Sequence, residues 1–253
     1  MPFVGRVTGA YRMDPSGVED VNLKNISNAA IVSEYFEWQL RFFKPYLTGQ
    51  VLEIGAGIGS ISEVLTKYAD SLVISDISDR CLEIIKSKLA DKNPSFKIKY
   101  VNYALGTPVS DAVRCSTFDA IVCINVLEHV ENDINALKYL LPSLKKSGRV
   151  LLLVPALKNL YGTIDKALGH YRRYDKKLIS KVLTAAGYKI ETIRYINFVG
   201  IFGWWFNSCL LKREVITRSN FKIFRLLFPL VKIIERWIPF PLGLSLIVTA
   251  RKC

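Results

Sequence analysis

A glycine-rich turn that begins with a carboxylate is the segment best suited to bind a ligand. In Glu53-Ile-Gly55-Ala-Gly57-Ile-Gly59, the turn follows an apolar run and precedes a predicted helix. Glycines let the backbone bend sharply and let a ligand approach the main chain. A dinucleotide-binding loop has G-x-G-x-x-G spacing and receives a pyrophosphate, whereas this turn has G-x-G-x-G spacing. The Glu53 carboxylate would repel phosphate, so the turn favours a cationic amino-acid group.

A second carboxylate, Asp76, ends the next predicted strand, 17 residues after Gly59. At that position a carboxylate can accept hydrogen bonds from a ribose diol. Asp76 and its neighbour Ile77 therefore complete a predicted site for a ligand with an amino-acid end and a ribose. The alternative is a glycine turn of a doubly wound fold that binds something else.

The two histidines follow the fourth and fifth predicted strands, where the carboxyl ends of parallel strands form a ligand cleft. His129 stands in Glu128-His129, which could instead simply begin the next helix. His170 stands in Gly169-His-Tyr-Arg-Arg-Tyr-Asp175 and is a candidate general base. The alternative for this stretch is an ordinary loop in which Asp175 caps the following helix.

Four further residues near His170 are candidate substrate ligands. Guanidinium groups bind phosphate or carboxylate in a bidentate manner, which suits Arg172 and Arg173. Tyr161 and Tyr174 add hydroxyl groups to the same polar, aromatic region.

Strands and helices alternate along the chain, which predicts an α/β fold with a doubly wound, mainly parallel seven-stranded sheet. Several strands are almost entirely apolar, as expected for strands that are buried on both faces. The predicted strands are Gln50–Ile54, Ser71–Ser75, Lys97–Val101, Phe118–Ile124, Arg149–Val154, Lys189–Tyr195 and Leu242–Ala250. The predicted helices are Asn28–Lys44, Ser60–Tyr68, Asp79–Leu89, Asn132–Leu141 and Lys176–Ala186.

Two segments resemble motifs of class I S-adenosylmethionine-dependent methyltransferases. Val51-Leu-Glu-Ile-Gly-Ala-Gly-Ile-Gly59 resembles their motif I, and Phe118-Asp-Ala-Ile-Val-Cys-Ile-Asn-Val-Leu-Glu-His-Val130 resembles their motif IV. The resemblance covers roughly residues 28–195. It implies a single Rossmann-like methyltransferase domain over residues 1–253, with a helical cap at 1–48 and a helical insertion at 196–241 between strands six and seven.

The resemblance also implies where the cofactor S-adenosylmethionine would lie. It would run along Gly55, Gly57 and Gly59, with Asp76 on the ribose hydroxyls and Glu53 orienting the methionine end. Asn125 would sit near the methyl sulfonium. The family often has an acidic residue after the third strand that contacts the adenine amino group. Here Asn102 or Tyr103 takes its place, and Tyr103 is included in the predicted cofactor site.

Two finer resemblances concern the chemistry. The segment from Asn125 to His129 is similar to the E-x-x-E-H pattern of ubiquinone and small-RNA 2′-O-methyltransferases, which can hold a divalent metal. Asn125 replaces the first Glu, so no metal is predicted. Gly169–Asp175 resembles the G-H-x-R-R-Y element of bacterial methyltransferases found with surface-polysaccharide enzymes. This implies His170 as general base on a sugar or phenol hydroxyl, with Asn125 and His129 near the methyl group.

Positive charge is concentrated in the second half of the chain. Residues 1–143 hold 14 Lys/Arg and 17 Asp/Glu, whereas residues 144–253 hold 21 and 5, for a net charge of +13. The basic half predicts an acidic partner, such as a phosphate-bearing substrate, an anionic lipid surface or nucleic acid. A solvated basic face without a partner is the alternative.

The cysteine pattern and the apolar runs bear on location. The five cysteines are odd in number and show no C-x-x-C spacing, which indicates a reducing cytoplasm and excludes a disulfide framework. Residues 1–20 do not resemble a signal peptide, and no apolar run reaches the roughly 20 residues that span a bilayer. A cytoplasmic protein that can touch the inner membrane surface is predicted.

The insertion at 196–241 is basic and aromatic. Lys222, Arg225, Lys232 and Arg236 fall on one stripe of a predicted helix that Pro229 could kink. The opposite stripe holds Phe224, Leu227, Phe228, Val231, Ile234 and Ile238. Such a helix could lie on a membrane, or pack on the core or on a second subunit. Nucleic acid is not favoured, because the aromatic residues are grouped with aliphatic ones and not interleaved with the basic ones.

These features predict a cytoplasmic methyltransferase that O-methylates a saccharide or lipid-linked saccharide at an anionic membrane surface. One alternative is a small-molecule O- or N-methyltransferase of secondary metabolism. Another is a scaffold that binds the cofactor without turnover.

Overall fold

The computed structural model describes residues 33–90, 96–108, 117–237 and 240–253. They form a seven-stranded sheet in the order β3-β2-β1-β4-β5-β7-β6. β7 is antiparallel to β5 and β6, and the other pairs are parallel. The predicted fold class is confirmed. The strands are β1 (Gln50–Ile54), β2 (Ser71–Asp76), β3 (Lys97–Asn102), β4 (Phe118–Ile124), β5 (Leu144–Pro155), β6 (Tyr188–Ile196) and β7 (Ser245–Lys252).

The described helices lie on both faces of this sheet and in the segment between β6 and β7. Most predicted bounds hold within a few residues. The start of the predicted helix at Asn28 lies outside the described residues, and its described part ends at Leu40. The helices are α1 (Ser33–Leu40), α2 (Ser60–Leu65), α3 (Asp79–Leu89), α4 (Asp133–Leu140), α5 (Thr163–Ala167), α6 (Lys176–Ala185), α7 (Gly200–Trp204) and α8 (Arg218–Trp237), and a π-helix (Trp205–Leu210) follows α7.

The central strands are buried on both faces, because alternate residues enter two separate apolar clusters. Leu52 of β1 packs in one cluster and Val51 in the other, as the two-residue repeat of a strand requires. α4 and α6 cover the first cluster. α1, α2, α3 and one face of α8 cover the second. The sheet is therefore a rigid platform whose carboxyl edge positions the loops.

The segment between β6 and β7 is anchored to this platform through α8. Phe228 is fully buried and meets the rings of Tyr35 and Trp38 of α1 edge-on, at 5.7 and 5.8 Å between centroids. The Glu235 carboxylate accepts hydrogen bonds from the backbone N–H groups of Asn197 and Phe198, at 3.0 and 2.6 Å. These contacts fix which face of α8 looks inward.

The apolar stripe predicted for α8 is divided between the core and the surface. Phe224, Phe228 and Val231 pack in the second apolar cluster, whereas the Leu227 side chain is 47% exposed. The helix has two apolar faces, one buried and one exposed, and the sequence pattern does not say which residues belong to which. Among the described residues, no helix is long and apolar enough to cross a membrane.

Candidate active site

The glycine turn has a backbone that other residues could not adopt without strain. Gly55 and Gly59 have φ values of +68° and +77°, in the left-handed region that favours glycine. A Cβ on Gly55 would lie 2.4 Å from Cγ2 of Val126, and one on Gly59 would lie 3.0 Å from Cγ1 of Ile85. The turn therefore packs directly on the segment that follows β4 and brings the two predicted motifs together.

Asp76 ties the end of β2 to this turn. Its Oδ2 accepts a hydrogen bond from the Gly57 N–H at 2.7 Å, and its Oδ1 accepts one from the Ser78 N–H at 2.9 Å. A carboxylate has about four acceptor positions, so the oxygens keep capacity for ribose hydroxyls. Ile77, the next residue, is half exposed and lies where a ligand on the turn could touch it.

Glu53 lies beneath the turn as a buried carboxyl. It is 2% exposed, and its Oε2 has no hydrogen-bond partner among the described residues. Burial raises the pKa of Glu53 to about 8, with the Ser62 hydroxyl offsetting part of that rise and the Asp76 charge adding to it. An unpartnered carboxyl oxygen is costly to bury, and a cationic ligand on the turn would relieve that cost. The residues here therefore fit an amino-acid nucleoside.

The protonation of Glu53 predicts a pH-dependent stability of the ligand-free protein. Because its pKa is about 8 in the folded protein against a usual 4.5, the folded chain retains a proton that the unfolded chain releases. The associated stability is complete below about pH 4.5 and is lost as the pH rises toward about 8. Glu53→Gln should shrink the fall in the free energy of unfolding between about pH 5 and about pH 8 by roughly 1–3 kcal/mol. Urea unfolding at both pH values measures this, and an equal fall in both proteins would contradict it.

The predicted adenine contact through Tyr103 is wrong for its side chain. Tyr103 is 4% exposed, packs in an apolar cluster and donates its hydroxyl hydrogen to the Thr107 carbonyl. The strand alternation explains this, since neighbouring residues point to opposite faces. Asn102 instead points outward, and its Nδ2 donates to the Ile77 carbonyl and to Oδ1 of Asp79. Asn102 thus places its side-chain amide next to the end of β2, where it pairs with Asp76.

A cavity of about 360 Å³ opens beyond the end of β4, between the sheet edge and α1, α7 and α8. Its polar lining residues include Asn125, Glu128, His129 and His170, which we call the polar end; ligand atoms of the last three lie within 4.8 Å of one another. Aromatic rings from the three helices line much of the rest, namely Tyr35, Phe36, Trp204, Phe221 and Phe224. Asn125 directly precedes Val126, which packs against Gly55 of the glycine turn, so these two neighbouring residues connect the cavity with the turn.

His170 is held by a carboxylate that the sequence analysis did not single out. Its Nδ1 lies 2.8 Å from Oδ1 of Asp165, and its Nε2 lies 3.9 Å from Oε1 of Glu128. Burial alone would raise the pKa of Asp165, but the hydrogen bond with His170 and the Arg173 guanidinium outweigh it and lower that pKa. An ionised Asp165 only accepts hydrogen bonds, so Nδ1 carries a proton, and in the neutral tautomer of the imidazole Nε2 is then the acceptor.

Glu128 and His129 complete a buried titratable cluster beside His170. Glu128 is fully buried, neither of its oxygens hydrogen-bonds another described residue, and burial raises its pKa to about 7. The pKa of His129 falls to about 3 because of burial and the adjacent His170, whose ring meets its own edge-on at 4.7 Å. His129 is therefore neutral near pH 7.

The same three residues have the donor atoms of a cation site. Ligand atoms of Glu128, His129 and His170 lie within 4.8 Å of one another. One carboxylate and two imidazoles suit zinc or a similar transition metal. A carboxylate that holds the second imidazole nitrogen, as Asp165 does, also orients metal-bound histidines. No metal was predicted from the sequence, because Asn125 replaces the first Glu of the pattern. The fold adds His170 to the cluster, although it lies about 40 residues away in the chain.

All four predicted substrate ligands have partners within the chain, and three of them are not among the residues that line the cavity. Arg172 donates to Oδ2 of Asp133 and to the Glu131 carbonyl, at 2.8 and 2.6 Å. Tyr174 is fully buried and donates to the same Asp133 carboxylate, and Tyr161 donates to the His170 carbonyl. The predicted substrate contacts of Tyr161, Arg172 and Tyr174 are therefore replaced by contacts that brace the loop.

Arg173 lines the cavity but does not offer a free charge. Its guanidinium donates to Oδ1 of Asp165 at 2.8 Å and to the Ala156 carbonyl at 2.9 Å, and it stacks over the Trp204 ring. Its predicted role as an oxyanion clamp thus gives way to that of a buried partner for Asp165. Asp175 caps α6 by accepting from the Leu178 N–H at 2.7 Å, as the alternative interpretation of this stretch expected.

Residues 29–193, more than half of the chain, match the methyltransferase domain family. The chain belongs to this family. Its cofactor is S-adenosylmethionine, and the glycine turn with Glu53 and Asp76 is where the residues present fit that molecule. Asn125, which lines the cavity, is the neighbour in sequence of Val126, which packs against this turn.

Two curated relatives of the chain are both named for quinone biosynthesis, one as an O-methyltransferase and one as a C-methyltransferase. It is 31% identical over 105 residues to the mitochondrial ubiquinone biosynthesis O-methyltransferase of Schizosaccharomyces pombe, covering 41% of this chain and 36% of that protein. It is 32% identical over 108 residues to a ubiquinone/menaquinone biosynthesis C-methyltransferase of Idiomarina loihiensis, covering 41% of each. The chain thus matches less than half the length of either protein.

Solved structures share the fold of the methyltransferase over most of its length. An S-adenosylmethionine-dependent methyltransferase of Mesorhizobium loti is 15% identical, with a TM-score of 0.57 over 84% of this chain and 95% of that one. The magnesium protoporphyrin IX methyltransferase of Synechocystis PCC 6803, solved with SAH bound, is 16% identical, with a TM-score of 0.55 over 91% and 85%. At these identities the likeness concerns the fold alone.

Proposed function

We propose that the chain is an O-methyltransferase in which His170, held by Asp165, removes the proton from an acceptor hydroxyl. The observation that carries this is the 2.8 Å contact between Nδ1 of His170 and Asp165 at the polar end of the cavity. Bound S-adenosylmethionine supplies an electrophilic methyl group. The protein has to align the hydroxyl oxygen with that group, exclude water and accept the proton.

The described side chains divide these tasks. Nε2 of His170 is the proton acceptor, and the ionised Asp165 stabilises the imidazolium that forms. Arg173 keeps Asp165 ionised by pairing with it. Glu128, near its pKa of about 7, can accept a hydrogen bond from a second donor of the acceptor when ionised. Asn125 lines the cavity next to Val126, and its amide can orient the reacting hydroxyl.

The acceptor we propose is a saccharide or lipid-linked saccharide at the inner membrane surface. The G-H-x-R-R-Y stretch around His170 supports this, as does the side-chain amide that Asn125 places in the cavity wall. A small-molecule O- or N-methyltransferase of secondary metabolism is the alternative enzyme. An acceptor that is methylated equally well with and without membranes would favour this alternative.

Transfer of a labelled methyl group tests the enzyme assignment directly. The purified chain is incubated with methyl-labelled S-adenosylmethionine and separate lipid and polar extracts of cells. We expect label in one extract and release of the demethylated cofactor in proportion. Cofactor binding without any transfer would instead support a scaffold.

A chelator separates proton transfer by His170 from a metal site at the same residues. A cation held by Glu128, His129 and His170 would lower the pKa of a bound acceptor hydroxyl. The proton mechanism needs no such cation, so turnover after dialysis against EDTA should remain within about twofold of the untreated enzyme. Loss of turnover that Mg²⁺, Mn²⁺ or Zn²⁺ restores would assign the three residues to a metal.

Membrane contact through the basic half of the chain is part of this proposal. Exposed cations surround the start of α8, among them Lys212, Arg218, Lys222 and Arg225. Each such charge near an anionic surface adds roughly 1 kcal/mol of attraction, which salt screens. We expect the protein to float with anionic vesicles at low salt and to bind about tenfold more weakly in 0.5 M salt. Equal binding to anionic and uncharged vesicles would contradict the electrostatic part.

A further inference from the structure

The outward face of α8 is an apolar stripe that nothing described in this chain covers. Its five side chains are between 47% and 81% exposed, namely Ile223 (60%), Leu226 (81%), Leu227 (47%), Leu230 (56%) and Ile233 (58%). At about 100° per residue they span roughly a third of the helix circumference. Single exposed apolar residues are ordinary, but a contiguous stripe of this kind marks an interaction surface.

The stripe cannot be buried by turning the helix. The opposite face is held by Phe228 and Val231 in the core and by Glu235, whose carboxylate accepts the N–H groups at the end of β6. Rotation of α8 would expose those side chains and leave the carboxylate without its donors. The outward stripe is therefore a fixed property of the fold.

A second exposed apolar group lies on the adjoining helices. α7 and the π-helix expose large side chains between 42% and 60%, namely Phe202, Trp205, Phe206, Leu210 and Leu211. The elements that carry the two groups are in contact, because Oδ1 of Asn207 in the π-helix accepts hydrogen bonds from Nδ2 of Asn220 of α8 at 2.6 Å and from Arg213 at 3.0 Å. We call these ten apolar residues the α7–α8 surface.

Charge next to this surface indicates what covers it. Lys222 and Arg225 are exposed and lie on the flank of the α8 stripe, and Lys212 directly follows Leu211. Aliphatic and aromatic side chains beside cations match an anionic bilayer. A second copy would place like charges opposite one another on a chain whose net charge is +13, which opposes association. The bilayer is the favoured occupant.

The helices that carry this surface also form the wall of the cavity. Phe221 and Phe224 of α8 and Trp204 of α7 line it. Among the described lining residues, Arg173 is the single Lys or Arg, and it is paired with Asp165. An apolar wall without a free cation suits an uncharged group and disfavours a phosphate inside the cavity.

We propose that the α7–α8 surface inserts into the interfacial layer of a bilayer and that the acceptor enters the cavity from the membrane. The acceptor is then a bilayer-resident lipid whose reacting group is an uncharged, hydroxyl-bearing head. Any phosphate that links head and tail stays outside, near Lys222 and Arg225. This inference rests on the proposed transfer to a hydroxyl and adds the class of molecule that bears it.

Vesicle flotation of the full chain tests the docking surface. Leu226→Gln/Leu230→Gln makes two exposed apolar side chains polar and changes no charge, so the fold and the electrostatic attraction should persist. Ile84→Gln, at a 39% exposed position of α3, is the control. With vesicles of phosphatidylcholine and phosphatidylglycerol, the double variant should bind at least about tenfold more weakly and the control should bind as the native chain does.

Two results would overturn the bilayer as occupant. One is a double variant that binds vesicles as tightly as the native chain, with circular dichroism confirming that both are folded. The other is a native chain that is a dimer by light scattering and a double variant that is monomeric, which would assign the surface to a second copy.

Labelled methyl transfer tests the route and the acceptor class. From a lipid extract incorporated in vesicles, we expect label in an organic-soluble product. Leu226→Gln/Leu230→Gln should lower this transfer about tenfold, and dissolving the same extract in detergent should restore it. His170→Gln should abolish transfer in both settings. Label confined to water-soluble products and unaffected by the double variant would refute the membrane route while leaving the proposed function intact. Absence of transfer from any extract, with cofactor binding intact, would refute the proposed function, and flotation would still decide the docking surface.

Discussion

His170→Gln lowers the turnover number by about 10²–10⁴-fold and leaves the affinity for S-adenosylmethionine within about twofold. The expected loss is large because glutamine fills a similar space but cannot accept the acceptor proton. Affinity should survive because His170 belongs to the cavity and not to the glycine turn. Steady-state methyl transfer and calorimetry with the cofactor measure the two quantities separately.

Asp165→Asn is the companion variant, because it keeps the shape of the contact with Nδ1 of His170 but removes the charge. An amide in that place can favour the wrong imidazole tautomer, and turnover should again fall by about 10²-fold or more. The variant also leaves the Arg173 guanidinium buried without a carboxylate, so a lower melting temperature is expected. Measuring turnover well below that temperature separates the two effects.

Tyr161→Phe is the control for both variants. The Tyr161 hydroxyl donates to the backbone carbonyl of His170, so loss of that hydroxyl should change turnover by no more than about threefold. If His170→Gln retained a third or more of native turnover, His170 would not be the base. If it lost turnover and cofactor affinity together, His170 would belong to the cofactor site.

Gly55→Ala is expected to weaken S-adenosylmethionine binding by at least about tenfold, because a single methyl group disturbs the turn. The new Cβ would lie 2.4 Å from Cγ2 of Val126, so either the turn or the segment after β4 must move. The backbone at φ +68° adds about 1–2 kcal/mol of strain for a residue other than glycine. Calorimetric titration with the cofactor measures the affinity, and thermal unfolding should show a lower midpoint.

A second substitution tests the physical cause. Gly55→Ala/Val126→Ala removes the clash but not the backbone strain, so part of the lost affinity should return. Gly203→Ala is the matched control, because a Cβ there meets nothing within 4 Å and alanine favours the helix. Native affinity in Gly55→Ala would mean that the cofactor does not lie on this turn.

The cofactor half of the site is local in sequence, and this is why it could be predicted. The glycine turn, Glu53 and Asp76 each stand at a fixed distance from the end of a strand, and strand ends follow from apolar runs and turn residues. The seven strands themselves were predicted within a few residues for the same reason. The contact predicted for the Tyr103 side chain was wrong, because an error of one residue in the position of a strand places a side chain on the opposite face of the sheet.

The acceptor half depends on contacts between segments far apart in the chain. Arg172 and Tyr174 both bind Asp133, about 40 residues earlier, and no spacing rule connects a loop arginine with a carboxylate in the first turn of a distant helix. Asp165 was not identified from the sequence, because only the fold brings it to His170. The sequence also left open which apolar residues of α8 face the core, because the helix has two apolar stripes.

The sequence by itself determined which chemical groups follow which strands. It showed a glycine-rich turn after the first strand, a carboxylate before this turn and another at the end of the second strand, and two histidines after later strands. These features follow from local backbone preferences and from the periodicity of apolar residues, both of which can be recognised within a short segment. Only the tertiary structure decided which polar groups face the cavity and which pair with one another. It also decided which stripe of α8 remains outside, since burial and partner choice depend on how distant segments pack.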